Sequence, residues 1–414
     1  MAKDFEPLPI KTNMIWNSIG SLCNLGCQWL ISILIVRLSI GYDAAGVYSL
    51  AISTYNIFGS IAQYRMYTYQ VSDVTNENST GEYLAFRLLT SFVALALCTL
   101  YGIATCSSEA WTTIAFYALY KTASLVIDVF HACDQRYHRM DFIGISLAAQ
   151  GIATLVCFTI AFALTNSIEF ALVLMTASTC AIGLLYDYRK TTHFGSIKVW
   201  ISRNKVFYLL AKCFPVVLAG IAASATSSLP RQTLSNIMGN SVLGAYASVA
   251  APVAIIQMGA SYIYNPMLSY FSEKYAYNDM RGFKQLFFKT SKAIISVGLA
   301  CIIGFSLIGS QFLILVFGQT ISPYVYLLVP MIISAMITGI QWFINDLLIS
   351  LRAFRPTLIS AIASLLTTLA LENNLINQLG PNGVTLTNIA SSLIGLTVMG
   401  YSLFVLIHEK SEQS

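Results

Sequence analysis

The sequence predicts an all-α integral membrane protein with about twelve transmembrane helices in two six-helix halves. Three observations predict this class. Hydrophobic residues make up 56% of the 414 residues and charged residues only 10%, whereas soluble domains carry about 25% charge. Apolar runs long enough to cross a bilayer follow one another along the chain. Short sequence elements also recur about half the chain length apart.

The individual spans follow from the length of the apolar runs. A spanning helix needs roughly 20 mostly apolar residues. The first run is too long for the core of a cleavable signal peptide, so it is expected to remain as a membrane helix. The spans are predicted at 13–39, 45–69, 88–106, 111–131, 142–164, 168–187, 207–229, 242–270, 287–310, 323–350, 357–372 and 384–407.

The connections between these spans alternate in charge. One set is basic, and in the other we find Arg231 as the single basic residue. Because positive residues stay on the cytoplasmic side, both termini are predicted to be cytoplasmic. The basic set contains Lys3, Lys11, Arg87, Arg136, Arg139, Arg189, Lys190, Lys198, Arg203, Lys205, Lys274, Arg281, Lys284, Arg352, Arg355 and Lys410.

The longest basic connection, RKTTHFGSIKVWISRNK at 189–205, falls in the middle of the chain. It predicts a cytoplasmic linker at 189–206 between a first half at 1–188 and a second half at 207–414. The positive-inside rule accounts for its charges, so no nucleic-acid partner is expected.

Two short repeats support an internal duplication. GYDAAGVY at 41–48 and GNSVLGAY at 239–246 share the pattern Gly-x4-Gly-x-Tyr, and each joins the first and second spans of its half. Their tyrosines are expected near the membrane interface. FRLLTS at 86–91 and LFFKTS at 286–291 form a second pair. With an even number of spans per half, the repeat predicts a pseudo-two-fold axis along the membrane normal, a transporter architecture.

Motifs of enzymes and metal sites are absent from the sequence. There is no P-loop, nucleophile elbow, His-Glu-x-x-His or Cys-x-x-Cys motif. The nine cysteines are scattered along the chain and are expected to pack as small apolar residues. The sequence therefore predicts no catalytic residues, no metal and no cofactor.

Charges inside the apolar spans are the candidate functional residues, because a central charge costs about 2.5–3.5 kcal/mol on insertion scales. Lys121 lies near the middle of the fourth span and is expected to face a water-filled cavity. Asp128 lies seven residues further on the same helix face. The other candidates, each near the end of a span, are Arg37, Arg65, Arg231 and Asp346.

The excess of cations over anions indicates an anionic ligand, such as the phosphate of a lipid carrier. We assign substrate binding to Lys121, Arg37, Arg65 and Arg231, and a possible coupling or ion-pair role to Asp128 and Asp346. An alternative remains for the residues at span ends. Arg65 and Asp346 could instead reach the inner interface, and Arg37 and Arg231 could cap the outer ends of their helices.

Three stretches carry a family resemblance: VRLSIGYDAAGVYSLAISTYNIFGSI at 36–61, LPRQTLSNIMGNSVLGAYASVAAPV at 229–253 and FLILVFGQTISP at 312–323. The chain resembles the Wzx-type O-antigen and capsule flippases of the multidrug/oligosaccharidyl-lipid/polysaccharide exporter superfamily. The resemblance implies two lobes around a central cavity. It also implies that undecaprenyl-pyrophosphate-linked oligosaccharide moves to the outer leaflet by alternating access. Such a protein is expected to act as a monomer, with a polysaccharide polymerase and glycosyltransferases as partners.

Two other functions stay open. The first span, NMIWNSIGSLCNLGCQWLISILIVR, lacks the acidic residues typical of cation-coupled drug exporters in this superfamily. That absence disfavours a multidrug or small-molecule exporter and leaves the coupling ion open. A membrane-embedded glycan polymerase or transferase is disfavoured by the short, nearly uncharged outer connections.

Overall fold

The computed structural model describes residues 7–73 and 77–412, and the regular structure in these residues is helical. Ten of the described helices are long and apolar enough to cross a membrane. The chain is therefore a multi-pass membrane protein, and about twelve helices in two lobes are confirmed. One compact unit holds the described residues of Met1–Ile40 and Val47–Ile221, and the other holds Gly41–Gly46 and the described residues of Ala222–Ser414.

The helices of the first unit account for the first six predicted spans. A π-helical turn at Gly183–Asp187 joins α7 directly to α8. The helices are α1 (Ile10–Leu38), α2 (Asp43–Gln63), α3 (Met66–Ser72), α4 (Thr80–Thr105), α5 (Trp111–Arg136), α6 (Met140–Thr165), α7 (Ile168–Ile182) and α8 (Tyr188–Thr191).

Helices α1 and α6 pack with their backbones in close contact. A methyl group at Gly20 would overlap the backbone of Gly144, and one at Gly144 would overlap the carbonyl of Trp16. Small residues at such crossings let membrane helices approach, because lipid supplies no hydrophobic force between them.

The helices of the second unit account for the remaining spans. Helix α9 begins in the first unit and ends in the second, and a 3-10 helix at Gln319–Leu327 precedes α13. The helices are α9 (Arg203–Met238), α10 (Asn240–Tyr264), α11 (Leu268–Ala276), α12 (Met280–Phe317), α13 (Leu328–Ser350), α14 (Phe354–Leu379) and α15 (Pro381–Glu412).

Small hydroxyl side chains join α14 to α15. Ser360 donates to the carbonyl of Gly395 at 3.0 Å, and Ser364 donates to the carbonyl of Ser391 at 2.9 Å. All four residues lie within membrane-spanning segments. Hydrogen bonds of this kind hold helices together where water does not compete.

The second predicted span of each half is interrupted in the structure. The sequence predicts continuous spans at 45–69 and 242–270, but α2 and α3 cover the first of them and α10 and α11 the second. Between α2 and α3, Tyr64 and Arg65 have φ of +43° and +56°, a left-handed conformation that ends a helix. Between α10 and α11 a 3-10 turn runs over Asn265–Met267, where proline cannot donate to the helix ladder. Each unit therefore contains a broken second helix.

Several helices extend beyond the predicted apolar runs. Helix α4 begins at Thr80 rather than 88, because Ser79 and Glu82 form a capping box. Arg87 therefore lies inside a helix, and its assignment to a connection was wrong. The predicted outer connection after the seventh span is largely helical, since α9 continues to Met238. The bounds 1–188, 189–206 and 207–414 for the duplicated halves stay a prediction.

The turn between α3 and α4 is organised by Asp73. Its carboxylate accepts hydrogen bonds from the backbone N–H of Glu77 at 2.9 Å and of Asn78 at 3.1 Å, and from the Tyr83 hydroxyl at 2.8 Å. Burial alone raises the pKa of Asp73, but these donors outweigh it and the pKa is lowered. The ionised carboxylate therefore stabilises the turn.

Candidate functional site

Lys121 and Asp128 both lie on α5, in the first unit. The Lys121 side chain is half-buried, with its ammonium 5.7 Å from the centroid of the Tyr120 ring. The Asp128 side chain is 34% exposed, and its Oδ1 lies 4.0 Å from Nδ1 of His131. The predicted deep cation is therefore neither fully buried nor fully exposed.

Arg37 and Arg65 are exposed in the first unit. Arg37 lies in the last turn of α1, and Arg65 occupies the left-handed position just before α3. Helix α2 separates them along the chain, and its 21 residues correspond to about 30 Å of helix. A single phosphate group cannot contact both side chains.

Arg231 and Asp346 lie in the second unit, on α9 and α13. Arg231 is half-buried, and its Nε has no hydrogen-bond partner among the described residues. Asp346 accepts from the Tyr264 hydroxyl at 2.8 Å and from the Asn345 amide at 3.1 Å. The Asp346 carboxylate thus ties the end of α10 to α13. The ligand-binding roles of all six candidates stay predictions.

Arg87 is a buried cation that sequence reasoning placed in a connection. Its side chain is among the largest fully buried ones. Its Nη1 donates to the carbonyls of Ala62 at 2.8 Å and Gln63 at 2.6 Å, and the Thr90 hydroxyl also donates to the first of these. The last carbonyls of a helix lack partners within it. Arg87 therefore caps α2 where the chain breaks.

The tyrosines of the first unit form a buried cluster. Tyr117 lies edge-on to Tyr48, with ring centroids 5.5 Å apart, and to Tyr55, with centroids 5.9 Å apart. Gln28 donates to the Tyr120 hydroxyl at 2.9 Å. Edge-to-face pairs of this kind stabilise a core beyond their buried area. The cluster fixes α5 against α1 and α2.

A second polar group in this unit was missed by sequence reasoning. His131 on α5 is buried, and its Nε2 lies 3.2 Å from Oδ1 of Asp187 in the π-helical turn. The Ser146 hydroxyl donates to the other oxygen of Asp187 at 2.9 Å, and the Gln150 amide donates to Ser146 at 3.0 Å. A π-helical turn often marks a functional position in a helix, but the sequence pattern does not reveal it.

The start of the first Gly-x4-Gly-x-Tyr repeat, Gly41–Gly46, lies against the second repeat within the second unit. A methyl group at Gly46 would overlap the carbonyl of Asn240, and one at Gly244 would overlap the carbonyl of Tyr42. The two contacts join equivalent positions of the repeats in exchanged order. The second glycine of each repeat therefore permits a close crossing of helix starts.

The first glycine of each repeat serves a different purpose. Gly41 and Gly239 have φ of +90° and +89°, a conformation that side chains other than glycine rarely adopt. The tyrosines Tyr48 and Tyr246 are 4% and 3% exposed. Both rings are therefore buried within the protein, and their position near the membrane interface stays a prediction.

The second unit contains an acidic residue within a span that the sequence placed at a span end. Glu372 lies inside α14, and the Thr233 hydroxyl on α9 is hydrogen-bonded to it. Its Oε2 is buried without a hydrogen-bond partner among the described residues. The predicted span ended at this residue because hydropathy falls there.

Comparisons with known proteins show which sequences and structures the chain resembles. No family model matches the sequence. The chain is 23% identical over 312 residues to the capsular polysaccharide biosynthesis protein CapF of Staphylococcus aureus, across 74% of this chain and 77% of that protein. Its structure is similar to the lipid II flippase MurJ in an inward closed conformation, with a TM-score of 0.76 and 11% identity, over 96% of this chain and 90% of that one.

It is also similar to an inward-facing multidrug resistance MATE family transporter of the MOP superfamily, with a TM-score of 0.66 and 14% identity, over 95% of this chain and 98% of that one. The chain shares the fold of these proteins, which are membrane transporters and flippases.

Each unit contains its own charged residues within spans. Arg87, Lys121 and Asp128 lie in the spans of the first unit, and Arg231 and Glu372 lie in those of the second. Charged groups within spans are retained where they line a path or pair with one another. Each unit therefore has its own set of candidate functional residues.

Proposed function

We propose that the protein moves undecaprenyl-pyrophosphate-linked oligosaccharide from the cytoplasmic to the outer leaflet of a bacterial inner membrane for surface polysaccharide synthesis. The similarity to a capsular polysaccharide biosynthesis protein over 74% of the chain carries this proposal. The shared fold with a lipid II flippase supports transport of a lipid-linked substrate.

The charges of the spans suit an anionic substrate. Lys121 and Arg231 are half-buried cations within spans, and the Arg231 Nε has no hydrogen-bond partner among the described residues. A guanidinium binds phosphate oxygens through paired N–H donors. Phosphate on a lipid carrier would satisfy such groups, and Lys121 of the first unit and Arg231 of the second are each assigned as a separate candidate for binding it.

A drug exporter is the second candidate, because the fold is also that of MATE transporters. A cationic drug needs an anionic site, yet α1 contains no Asp or Glu. The charge of this helix therefore favours the flippase over the exporter.

Complementation tests the proposal. The full chain is expressed in a strain that lacks its own capsule flippase, and polymer and lipid-linked repeat units are measured together. We expect polymer to return and the accumulated repeat units to fall. A protein present in the membrane at normal level that restores no polymer would refute the flippase. Resistance gained in a strain without drug exporters would instead support the second candidate.

A further inference from the structure

The cluster around His131 contains more acidic groups than its hydrogen bonds require. Asp187 is fully buried. Along α5, Asp128 precedes His131 by one turn and Asp134 follows it by one turn. Asp134 accepts from Thr191 of α8 at 3.3 Å, one turn beyond Asp187. Two successive contacts, His131 to Asp187 and Asp134 to Thr191, therefore join α5 to the π-helical turn and α8.

The hydrogen bonds define which nitrogen of His131 can take up a proton. Asp187 accepts from Ser146 on one oxygen, so the other oxygen faces Nε2 of His131 as an acceptor. Nε2 must then carry the hydrogen in the neutral imidazole, and Nδ1 is the basic nitrogen. Nδ1 faces Oδ1 of Asp128 at 4.0 Å, and Asp128 is 34% exposed. A proton on Nδ1 would be directed at this carboxylate.

The charge balance around the cluster is incomplete when His131 is neutral. Asp141 is paired with Arg139 at 2.7 Å. Three carboxylates then face two cations, and a buried excess charge is unfavourable. One proton, held by His131 as an imidazolium or by the Asp134 carboxyl group, would balance it. The groups within Coulombic reach of one or more members of the cluster are Tyr55 on α2, Tyr67 on α3, Arg87 on α4, Lys121, Asp128, Cys133 and Asp134 on α5, Arg139 and Asp141 at the start of α6, and Tyr186 and Asp187 in the π-helical turn.

A further buried atom points to an exchangeable proton. Asp134 is fully buried, and its Oδ2 has no hydrogen-bond partner among the described residues. A carboxylate oxygen in that position is satisfied by a proton or a cation. Asp134 lies within Coulombic reach of both His131 and Asp187, so it belongs to the same group.

We propose that His131, Asp187, Asp128 and Asp134 form a proton-binding site that couples proton transfer to the transport step. His131 takes up one H⁺ at Nδ1 from water beside the exposed edge of Asp128 and returns it to water when the site opens again. The coupling rests on the proposed function, whereas proton binding does not. A proton fits better than Na⁺, because hydrogen-bond donors already occupy both oxygens of Asp187.

The test uses the full-length protein in liposomes adsorbed on a solid-supported membrane. A rapid step from about pH 7.5 to about pH 6 brackets an ordinary histidine, and the transient charge movement is recorded. We expect a transient from the wild type and a loss to the level of empty liposomes for His131→Gln. Asp187→Asn keeps a side chain of similar shape, and this variant should also lose the transient. His408→Gln, at an exposed position, is the matched control and should retain it.

The outcomes separate the alternatives. A transient of wild-type size in His131→Gln would refute the site. A transient produced by a Na⁺ step at constant pH, and lost in His131→Gln, would show a sodium site instead and overturn the proposal. If His131→Gln is not monodisperse by size-exclusion chromatography, the same measurement on Asp187→Asn tests the site, and a transient of wild-type size in that variant would refute it.

Complementation distinguishes this inference from the proposed function. If the wild type restores polymer and a folded His131→Gln restores it equally at every external pH, the coupling is wrong and the flippase stands. If the wild type restores no polymer but the pH transient depends on His131, the substrate assignment is wrong and the proton site stands.

Discussion

The crossing of the two repeats predicts that Gly46→Ala destabilises the protein. Gly46 lies in the first turn of α2, and a methyl group there would overlap the Asn240 carbonyl. Backbone cannot move aside as the end of a flexible side chain can. The helix starts must therefore separate, which also loosens the equivalent contact of Gly244 with Tyr42.

The magnitude follows from the geometry and from a matched control. Overpacking of this kind costs about 1–3 kcal/mol. Gly26 in α1 has no atom within 4 Å of the added methyl position, so Gly26→Ala gains up to about 1 kcal/mol of helix propensity. The two variants should differ by about 1–4 kcal/mol in the free energy of unfolding.

Unfolding of the purified protein in detergent, followed by intrinsic fluorescence, measures this difference. The midpoint should fall for Gly46→Ala and stay or rise for Gly26→Ala. Adding Gly244→Ala to Gly46→Ala should cost less than the sum of the single changes, because both act on one crossing. Equal stability of the Gly46 and Gly26 variants would refute the reasoning.

Three further predictions concern buried or hydrogen-bonded charges. Arg87→Met should lower the free energy of unfolding by about 1–3 kcal/mol, since two helix-end carbonyls lose a charged donor, while Arg355→Met at an exposed position should not. Asp73→Asn should destabilise at neutral pH, and the difference in unfolding midpoint should vanish as the pH falls below about 4, through the lowered pKa of the folded state. In the complementation assay, Lys121→Ala should reduce polymer more than Lys212→Ala, which changes an exposed lysine nine residues into α9, at equal expression. Equal reductions would refute the inference that the position of Lys121 near the middle of its span matters for transport.

The pH window for Asp73 follows from the direction of its shift. Its pKa is lower in the folded protein, so the stabilisation is present above the unfolded value of about 3.9 and is lost as pH falls through the folded value. A difference between wild type and Asp73→Asn that persists at low pH would contradict the role assigned to the carboxylate.

The sequence predicts the class of the protein because bilayer thickness acts on every span in the same way. The length of an apolar run and the sign of the flanking charges are local properties that a hydropathy window can read. Helix ends are harder to predict from hydropathy, because helices extend beyond the apolar layer. The motif Ser79-x-x-Glu82 was the available signal for the start of α4, and it would have placed Arg87 inside the helix.

The candidate site was harder to predict. The pairing of His131 with Asp187 joins residues far apart in sequence. Asp187 reaches that position through a π-helical turn, which an α-helical period does not anticipate. Lys121 and Asp128 were found because charge inside an apolar run is visible locally. Asp346 bonds to Tyr264 of a different helix, which charge patterns cannot indicate.

The π-helical turn at Gly183–Asp187 also has a consequence for insertions and deletions in this chain. An α-helix advances about 100° per residue, and a π-helical turn accommodates one additional residue. Regular α-helical winding with every residue retained would therefore rotate α8 about its axis by a similar angle, and Asp187 and Thr191 would turn away from α5 together. Deleting one residue from Leu184–Tyr186 would restore α-helical winding and keep Asp187 and Thr191 on the side that faces α5. In an alignment, a homologue with regular winding here would therefore show a one-residue gap, and the side chains beyond the gap would face the same neighbours.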